Sequence, residues 1–282
     1  MSRKGIMLCY PFDEERIKKW GFPVYVQRKL DGDRCKAIYN PFARKITLVS
    51  SEGNEINSVP HIKQSLEKVL FNDPFPTVFD GELYVHGLKH NEIRSIVGRK
   101  TSLHPNYLAM QYHIFDILNN NCVFWERLML LKLNRNRFYL TPCVQFVPYN
   151  VCNNMEEVYT YLSFYIKLGY EGFVVKNPLS LYEPKRSTNW LKYKPMKSDT
   201  YPIIGYNQEV DKDGFVKNSL GSVICSTQEG EEFSVGSGFT ALQRNSYWTD
   251  KEYLIGKNIK VRYQELSKDR KVPRHPVVLE II

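Results

Sequence analysis

The chain has 282 residues, of which 43% are hydrophobic and 24% charged, and its formal net charge is +9. This length suits two domains with sizeable cores, and the basic balance favours a polyanionic partner such as nucleic acid. The sequence excludes a membrane-spanning segment, a signal peptide and a zinc module, because it has no long apolar run and no Cys/His spacing typical of zinc. We therefore expect a soluble, cytoplasmic, non-secreted protein with free thiols.

The first part of the chain has a mixed α/β pattern. In chain order, apolar periodicity predicts strands at 24–29, 35–39 and 45–50, a helix at 61–70, a strand at 77–85, a short helix at 91–97, a strand at 112–117, helices at 125–139 and 155–168, and strands at 172–176 and 190–194. This alternation predicts an α/β domain over residues 1–197.

After K-P-M-K-S-D-T (194–200) the pattern becomes short β-type runs with Gly-rich turns and one plausible helix. The clearest of these runs lie at 221–226, 232–236, 258–264 and 277–281. They predict a small all-β barrel over residues 198–282.

Five charged stretches interrupt the apolar strands of the first domain. They are Q-R-K-L-D-G-D-R (27–34), F-D-G-E-L (79–83), F-D (115–116), E-G-F-V-V-K (171–176) and W-L-K-Y-K-P (190–195). Side chains two residues apart share one face of a strand, so Asp80 lies beside Glu82 and Lys192 beside Lys194. Because burying unpaired charges is costly, these stretches predict a shared polar cleft.

Lys29 is the candidate nucleophile of this cleft. A lysine amine attacks only when it is neutral, and nearby cations such as Arg34, Lys192 and Lys194 would lower its pKa. Two carboxylates, Glu82 and Glu171, could bind hydroxyl groups or a hydrated magnesium ion. The alternative is that Lys29 is an ordinary charged residue at the end of a strand.

The same stretches carry a family resemblance. K-L-D-G-D-R resembles the nucleophile motif of the covalent nucleotidyltransferases, which comprise DNA ligases, RNA ligases and mRNA capping enzymes, and the other four stretches resemble later motifs in the same order. R-S-T-N-W-L-K-Y-K-P (186–195) and V-G-S-G-F-T (235–240) are similar to motifs of ATP-dependent DNA ligases of the minimal viral or phage type. The resemblance implies an α/β nucleotidyltransferase (adenylylation) domain followed by an OB-fold DNA-binding barrel.

It also implies a role for each matching residue. Lys29 would be the catalytic residue that carries AMP, with ATP and Mg²⁺ as cofactors. The implied nucleotide-binding residues are Gln27, Arg28, Lys29, Leu30, Arg34, Glu82, Phe115, Lys176, Lys192 and Lys194. The implied metal ligands are Glu82 and Glu171, and the implied DNA contacts are Asp80, Arg186 and Ser187.

The implied reaction is the sealing of nicked duplex DNA by a monomer, through AMP on lysine, AMP on the 5′-phosphate and attack by the 3′-hydroxyl. An RNA ligase or a GTP-using capping enzyme is the nearest alternative, and a nick-binding protein with impaired catalysis is another. The sequence departs from the family's S-R-x-G motif, because S-S-E-G (50–53) places Ser51 where an arginine is expected. Arg44 is a candidate replacement.

Overall fold

The computed structural model describes residues 5–74, 77–119, 121–135, 138, 141–267 and 269–282. The chain divides into two compact units, Met1–Tyr193 and Lys194–Ile282. The family motifs around Lys29 all begin in the first of these units.

The first unit combines strands and helices in an irregular alternation. Its strands are β1 (Leu8–Pro11), β2 (Val24–Lys29), β3 (Asp33–Asn40), β4 (Lys45–Ser50), β5 (Thr77–Tyr84), β6 (Gln111–Ile117), β7 (Val144–Phe146), β8 (Tyr149–Cys152), β9 (Gly172–Lys176) and β10 (Arg186–Tyr193). Its helices are α1 (Glu14–Trp20), α2 (Pro60–Leu70), α3 (His90–Val97), α4 (Phe124–Arg135) and α5 (Met155–Lys167).

These strands form two five-stranded sheets, in the orders β1-β10-β9-β2-β8 and β4-β3-β5-β6-β7. In the first sheet, β2 pairs antiparallel with β9, so that Lys29 lies opposite Gly172. In the second sheet, Arg34 lies opposite Glu82 and Glu82 lies opposite His113. Directly paired residues point to the same face, so this register aligns a cation, a carboxylate and an imidazole across three strands.

The helices are built to local rules. Helix α2 buries Ile62, Leu66 and Leu70, the face that its apolar spacing predicts. Helix α5 begins after Asn154, whose side chain accepts a hydrogen bond from the Glu157 backbone at 2.9 Å. Helix α2 packs against β4 and β7, and helix α5 packs against β2, β8 and β9.

The second unit is built on one sheet. Its elements are β11 (Lys197–Val210), β12 (Val216–Ser226), β13 (Glu232–Val235), α6 (Ala241–Thr249), a 3₁₀ turn (Lys251–Leu254), β14 (Asn258–Tyr263) and β15 (Val277–Ile281), in the sheet order β13-β12-β11-β14-β15. A parallel bridge between Ser237 and Val277 joins its two edges. The predicted barrel is therefore an OB-like sheet whose edges meet at a bridge rather than along a full ladder.

The structure also contains elements that the periodicity did not predict: β1, α1, β7, β8 and β11. Strand β11 was missed because it serves two partners: its first half pairs with β14 and its second half with β12. Pro202 lies at the change of partner, and most β11 side chains are exposed, which removes the expected alternation. Helix α4 ends at Arg135, and the remainder of the helix predicted at 125–139 falls largely outside the described residues.

Candidate active site

A cavity of about 480 Å³, including its open mouth, lies in the first unit. It is lined by Cys9, Gln27, Arg28, Lys29, Leu30, Arg34, Glu82, Phe115, Val174, Lys176 and Trp190. Eight of these eleven residues are among the nucleotide-binding residues predicted from the sequence. The structure therefore brings most of the predicted residues together, although their individual roles remain predictions.

Lys29 lies at the end of β2, where its amine donates a hydrogen bond to the Glu171 carboxylate. The two side chains are 23% and 13% exposed, so the pair is largely shielded from water. Burial lowers the pKa of Lys29; Arg34 acts in the same direction, whereas Glu82 and Asp31 oppose it. The predicted lowering of this pKa by Arg34 is present, but burial is the larger cause.

Arg34 is held by a buried network. Its guanidinium donates two hydrogen bonds to Asp80, both of 2.6 Å, and the Tyr182 hydroxyl donates a third to Asp80 at 2.5 Å. Asp80 is fully buried and its carboxylate is engaged by these two residues, so the structure does not support the predicted DNA contact. Instead, Asp80 fixes the guanidinium 4.5 Å from the centre of the Phe115 ring.

The glycine of the K-L-D-G motif has a steric reason. A Cβ atom on Gly32 would lie 2.3 Å from the Leu83 carbonyl oxygen and 2.8 Å from the Glu82 side chain. No residue with a side chain fits at this point without moving β5. Gly32 therefore lets the turn after Lys29 approach the strand that carries Glu82.

Gln27 forms a polar part of the cavity wall, and Trp190 forms an aromatic part. The Gln27 side chain is buried and donates a hydrogen bond to the Val147 carbonyl at 3.2 Å. Its amide oxygen and the Trp190 indole N–H are both buried and have no protein partner. Such atoms are uncommon in folded proteins and are expected where a ligand supplies the missing partner.

Lys176 is a buried lysine among aromatic rings. Its amine lies 3.8 Å from the centre of the Trp190 ring, 4.6 Å from that of Phe124 and 4.9 Å from that of Phe115. Burial lowers the pKa of Lys176 to about 7. Burial likewise raises the pKa of Glu82 to about 7, against the opposing effect of Arg34 and Lys29. Shifts of this size toward neutrality are typical of functional sites.

The remaining predicted residues are not among those that line the cavity. Lys192 is opposite Val174, so it lies on the cavity face of the sheet, whereas Lys194 follows β10 and is the first residue of the second unit. Arg186 is exposed and donates a hydrogen bond to the Cys9 carbonyl at 2.7 Å. Ser187 is only 3% exposed and its hydroxyl donates a hydrogen bond to Glu183, so the structure does not support the predicted DNA contact.

Three cavity residues were not among the predicted site residues: Cys9, Val174 and Trp190. Val174 and Trp190 lie inside motifs already noted, and their alternation with Val175 and Leu191 was a signal that they face the same side as Lys176 and Lys192. Cys9 carried no such signal. Arg44 does not line the cavity; it is exposed, with its guanidinium 4.4 Å from the centre of the Phe71 ring.

Comparison with known proteins decides the family. Residues 6–194, more than half of the chain, match the family model of the ATP dependent DNA ligase domain. The chain belongs to the ATP-dependent DNA ligase family. Residues 213–281 match the model of the DNA ligase OB-like domain, which covers most of the second unit. The predicted family and fold class are confirmed, and the RNA ligase, capping-enzyme and nick-binding alternatives are not favoured.

Individual relatives agree with this assignment. A DNA ligase of Haemophilus influenzae is 24% identical over 87% of this chain and 82% of its own length. A DNA ligase of African swine fever virus is 26% identical over 91% of this chain, which spans 65% of that protein's length. A solved Lig E DNA ligase has the same fold, with a TM-score of 0.74, 20% identity and 99% coverage of both chains.

No helix in the part of the chain that the structure describes is long and apolar enough to cross a membrane.

Proposed function

We propose that this chain seals nicks between a 3′-hydroxyl and a 5′-phosphate in duplex DNA, using ATP and a covalent AMP on Lys29. The observation that carries the proposal is that Lys29 lines one cavity together with Gln27, Arg34, Glu82 and Phe115. This is the set expected for a lysine nucleophile next to a nucleotide. The family match to ATP-dependent DNA ligases supports the choice of ATP and of DNA.

In the first step, the Lys29 amine attacks the α-phosphorus of ATP. A P–N bond forms, the bond from that phosphorus to the bridging oxygen breaks, and pyrophosphate leaves. The Glu171 carboxylate contacts the amine and is placed to accept its proton. Burial supports the step, because a lysine with a lowered pKa is more often in the neutral, nucleophilic form.

The cavity walls suit the rest of the nucleotide. The unpartnered amide oxygen of Gln27 can accept a hydrogen bond from the exocyclic amine of adenine. Phe115 offers an aromatic surface for the base. Arg34, fixed by Asp80, and the amines of Lys176 and Lys192 supply positive charge for phosphates and the developing oxyanion.

A magnesium ion is implied by the family chemistry, and the residues present fit one. Among the described residues, no three His, Cys, Asp or Glu side chains group into a metal site. Magnesium does not need such a group, because one or two carboxylates together with substrate phosphates and water suffice. Glu82 and Glu171 are the residues that would hold it, and there it would neutralise charge on the phosphates.

In the later steps, a phosphate oxygen of the DNA 5′ end attacks the lysine-bound AMP and frees Lys29. The adjacent 3′-hydroxyl then attacks the 5′-phosphate, and AMP leaves. The net charge of +9 favours duplex binding through phosphate contacts. Arg186, exposed at the start of β10, is the proposed contact near the nick.

The test is a gel assay of a singly nicked duplex with ATP and Mg²⁺, run with the wild type, Lys29→Ala and Lys45→Ala. Lys45 is the matched control, since its side chain is 70% exposed and does not line the cavity. We expect sealing, and transfer of label from α-labelled ATP to protein, to vanish only in Lys29→Ala. Sealing by Lys29→Ala at the wild-type rate would overturn the role of Lys29. Sealing of RNA nicks but not DNA nicks would overturn the substrate.

A further inference from the structure

Cys9 is a free cysteine that lines the cavity of the candidate active site. It lies on β1, where the register with β10 shifts between Cys9 and Tyr10. Irregular pairing of this kind re-aims the side chains next to it. Cys9 packs against the cluster of Met7, Tyr182 and Trp190. The structure therefore places a thiol in the cavity wall, beside the aromatic part of that wall.

The cavity is a space for a ligand rather than a gap in the packing. Gln27 and Trp190 line it, are only 2% and 1% exposed, and each has a buried polar atom without a protein partner. Buried polar atoms are seldom left unpaired, so a bound molecule is expected to supply the missing partners. A molecule that reaches the Trp190 indole N–H also comes close to the Cys9 thiol, because the two side chains belong to one packed cluster.

The charges of the cavity favour anions. Among the lining residues that the structure describes, one is a carboxylate, Glu82, and four are cationic: Arg28, Lys29, Arg34 and Lys176. An excess of cations in a partly enclosed cavity raises the local concentration of anions. Burial raises the pKa of the Cys9 thiol, and the charges of Arg34 and Lys176 oppose that effect. Because only the thiolate is a good nucleophile, Cys9 reacts best with a reagent that the cavity itself attracts.

We propose that Cys9 is a covalent modification site for small anionic alkylating agents, and that its modification blocks the loading of AMP onto Lys29. With a haloacetate, the Cys9 sulfur attacks the carbon that carries the halogen. A C–S bond forms, the carbon–halogen bond breaks, halide leaves and the thiol proton passes to solvent. The carboxymethyl group then occupies cavity space beside Trp190. The loss of activity rests on the proposed function, whereas the modification of Cys9 does not.

The test treats the full chain with iodoacetate at about pH 8, where more of the thiol is ionised than at neutral pH. Peptide mass spectrometry measures carboxymethylation at each cysteine, and transfer of label from α-labelled ATP to protein is measured on the same samples. The wild type is compared with Cys9→Ser and Cys143→Ser, each relative to its own untreated activity. Cys143 is the matched control, because it is also a free and partly exposed thiol but does not line the cavity.

We expect Cys9 to be carboxymethylated and nucleotide transfer to fall in proportion, in the wild type and in Cys143→Ser but not in Cys9→Ser. ATP without magnesium, at about ten times its Kd, leaves roughly a tenth of the protein free, so it should slow the reaction of Cys9 by about tenfold. It should not slow the reaction of Cys143. The ratio of the Cys9 rate to the Cys143 rate should be higher with iodoacetate than with iodoacetamide, its neutral analogue.

An unmodified Cys9, or a modified Cys9 with full nucleotide transfer, would overturn the proposal. Simultaneous carboxymethylation of Cys35 and Cys225 would also overturn it, since both are buried in the cores of the two units and the reagent would then reach Cys9 through unfolding. Equal rate ratios for the two reagents would overturn the preference for anions. Absence of nucleotide transfer in the untreated wild type would instead overturn the proposed function, while mass spectrometry with and without ATP would still test the modification of Cys9.

Discussion

The two units differ in what they bury. Among the described residues, the first unit buries charged side chains, including Asp80, Asp116, Arg127 and Lys176, whereas the buried polar residues of the second unit are Ser219 and Thr227. Buried charges cost free energy unless they are paired, whereas a hydroxyl needs only a local hydrogen bond. The first unit therefore contains charges that need partners, whereas the core of the second unit has none among the described residues.

The first unit itself contains two kinds of buried polar side chain. Arg127 and Asp116 are both fully buried, joined by hydrogen bonds of 2.8 and 3.0 Å, and Arg127 also donates to the carbonyls of Cys122 and Ser180. Three residues that line the cavity, Gln27, Arg28 and Trp190, each have a buried atom without a partner. The first group is complete and structural, and the second is incomplete at the place where a ligand is expected.

The largest expected effect on stability comes from breaking the complete pair. Arg127→Leu leaves Asp116 charged and alone in the core, so we expect the free energy of unfolding to fall by about 3–5 kcal/mol. The matched control in the second unit is Arg270→Leu, because Arg270 and Glu231 form an ion pair with side chains 56% and 41% exposed. That variant should lose no more than about 1 kcal/mol. Urea unfolding of both variants measures the difference, and equal losses would contradict the contrast between the units.

A smaller, pH-dependent effect is expected at Lys176. Its pKa is about 7 in the fold and about 10.4 in an unfolded chain, so between these values the unfolded chain binds more protons and wild-type stability rises with pH. Lys176→Met removes this cost. We expect the variant to be more stable than the wild type at pH 6, with an advantage roughly 2–3 kcal/mol smaller at pH 9.

Unfolding curves at pH 6 and 9, with nucleotide transfer measured in parallel, test this prediction. The pKa of Glu82 is shifted by burial, Arg34 and Lys29 and not chiefly by Lys176, so we expect its contribution to cancel in the comparison. We expect Lys176→Met to gain stability and lose activity. An advantage that grows from pH 6 to pH 9 would contradict the assigned direction of the pKa shift.

The sequence predicted the site better than it predicted the buried network behind it. Lys29, Glu82 and Phe115 belong to contiguous motifs whose residue types state their chemistry, and the structure places them in one cavity. Asp80 belongs to the same motif as Glu82. Both lie on one face of a strand, so the sequence alone does not distinguish a residue that binds a ligand from one that binds a neighbouring side chain. Only the folded structure shows that the Asp80 carboxylate accepts hydrogen bonds from Arg34 and Tyr182.

The secondary structure was likewise only partly predictable from the sequence. Strands with one partner on each side, such as β2 and β6, follow their apolar pattern, helix α2 follows its periodicity, and helix α5 begins after its Asn154 cap. Strand β11 changes partner at Pro202 and is mostly exposed, so its existence depends on β12 and β14 rather than on its own residues. Likewise, the partner of Asp116 is Arg127, eleven residues away on α4, and neither residue type identifies the other.

The smallest expected effect lies at Gln27 and concerns specificity rather than stability. The Gln27 amide is oriented by its hydrogen bond to Val147, which leaves the amide oxygen as an acceptor inside the cavity. Adenine offers an amine at its edge, whereas guanine offers an oxygen that this acceptor would repel. Gln27→Leu should therefore lower the preference for ATP over GTP in nucleotide transfer by about tenfold, because the rate with ATP falls and the repulsion of GTP is removed. Gln208→Leu, at an exposed glutamine of the second unit, should leave the preference intact. If Gln27→Leu keeps the wild-type preference, the unpartnered amide oxygen of Gln27 accepts a hydrogen bond from water, and the base is recognised by another wall of the cavity.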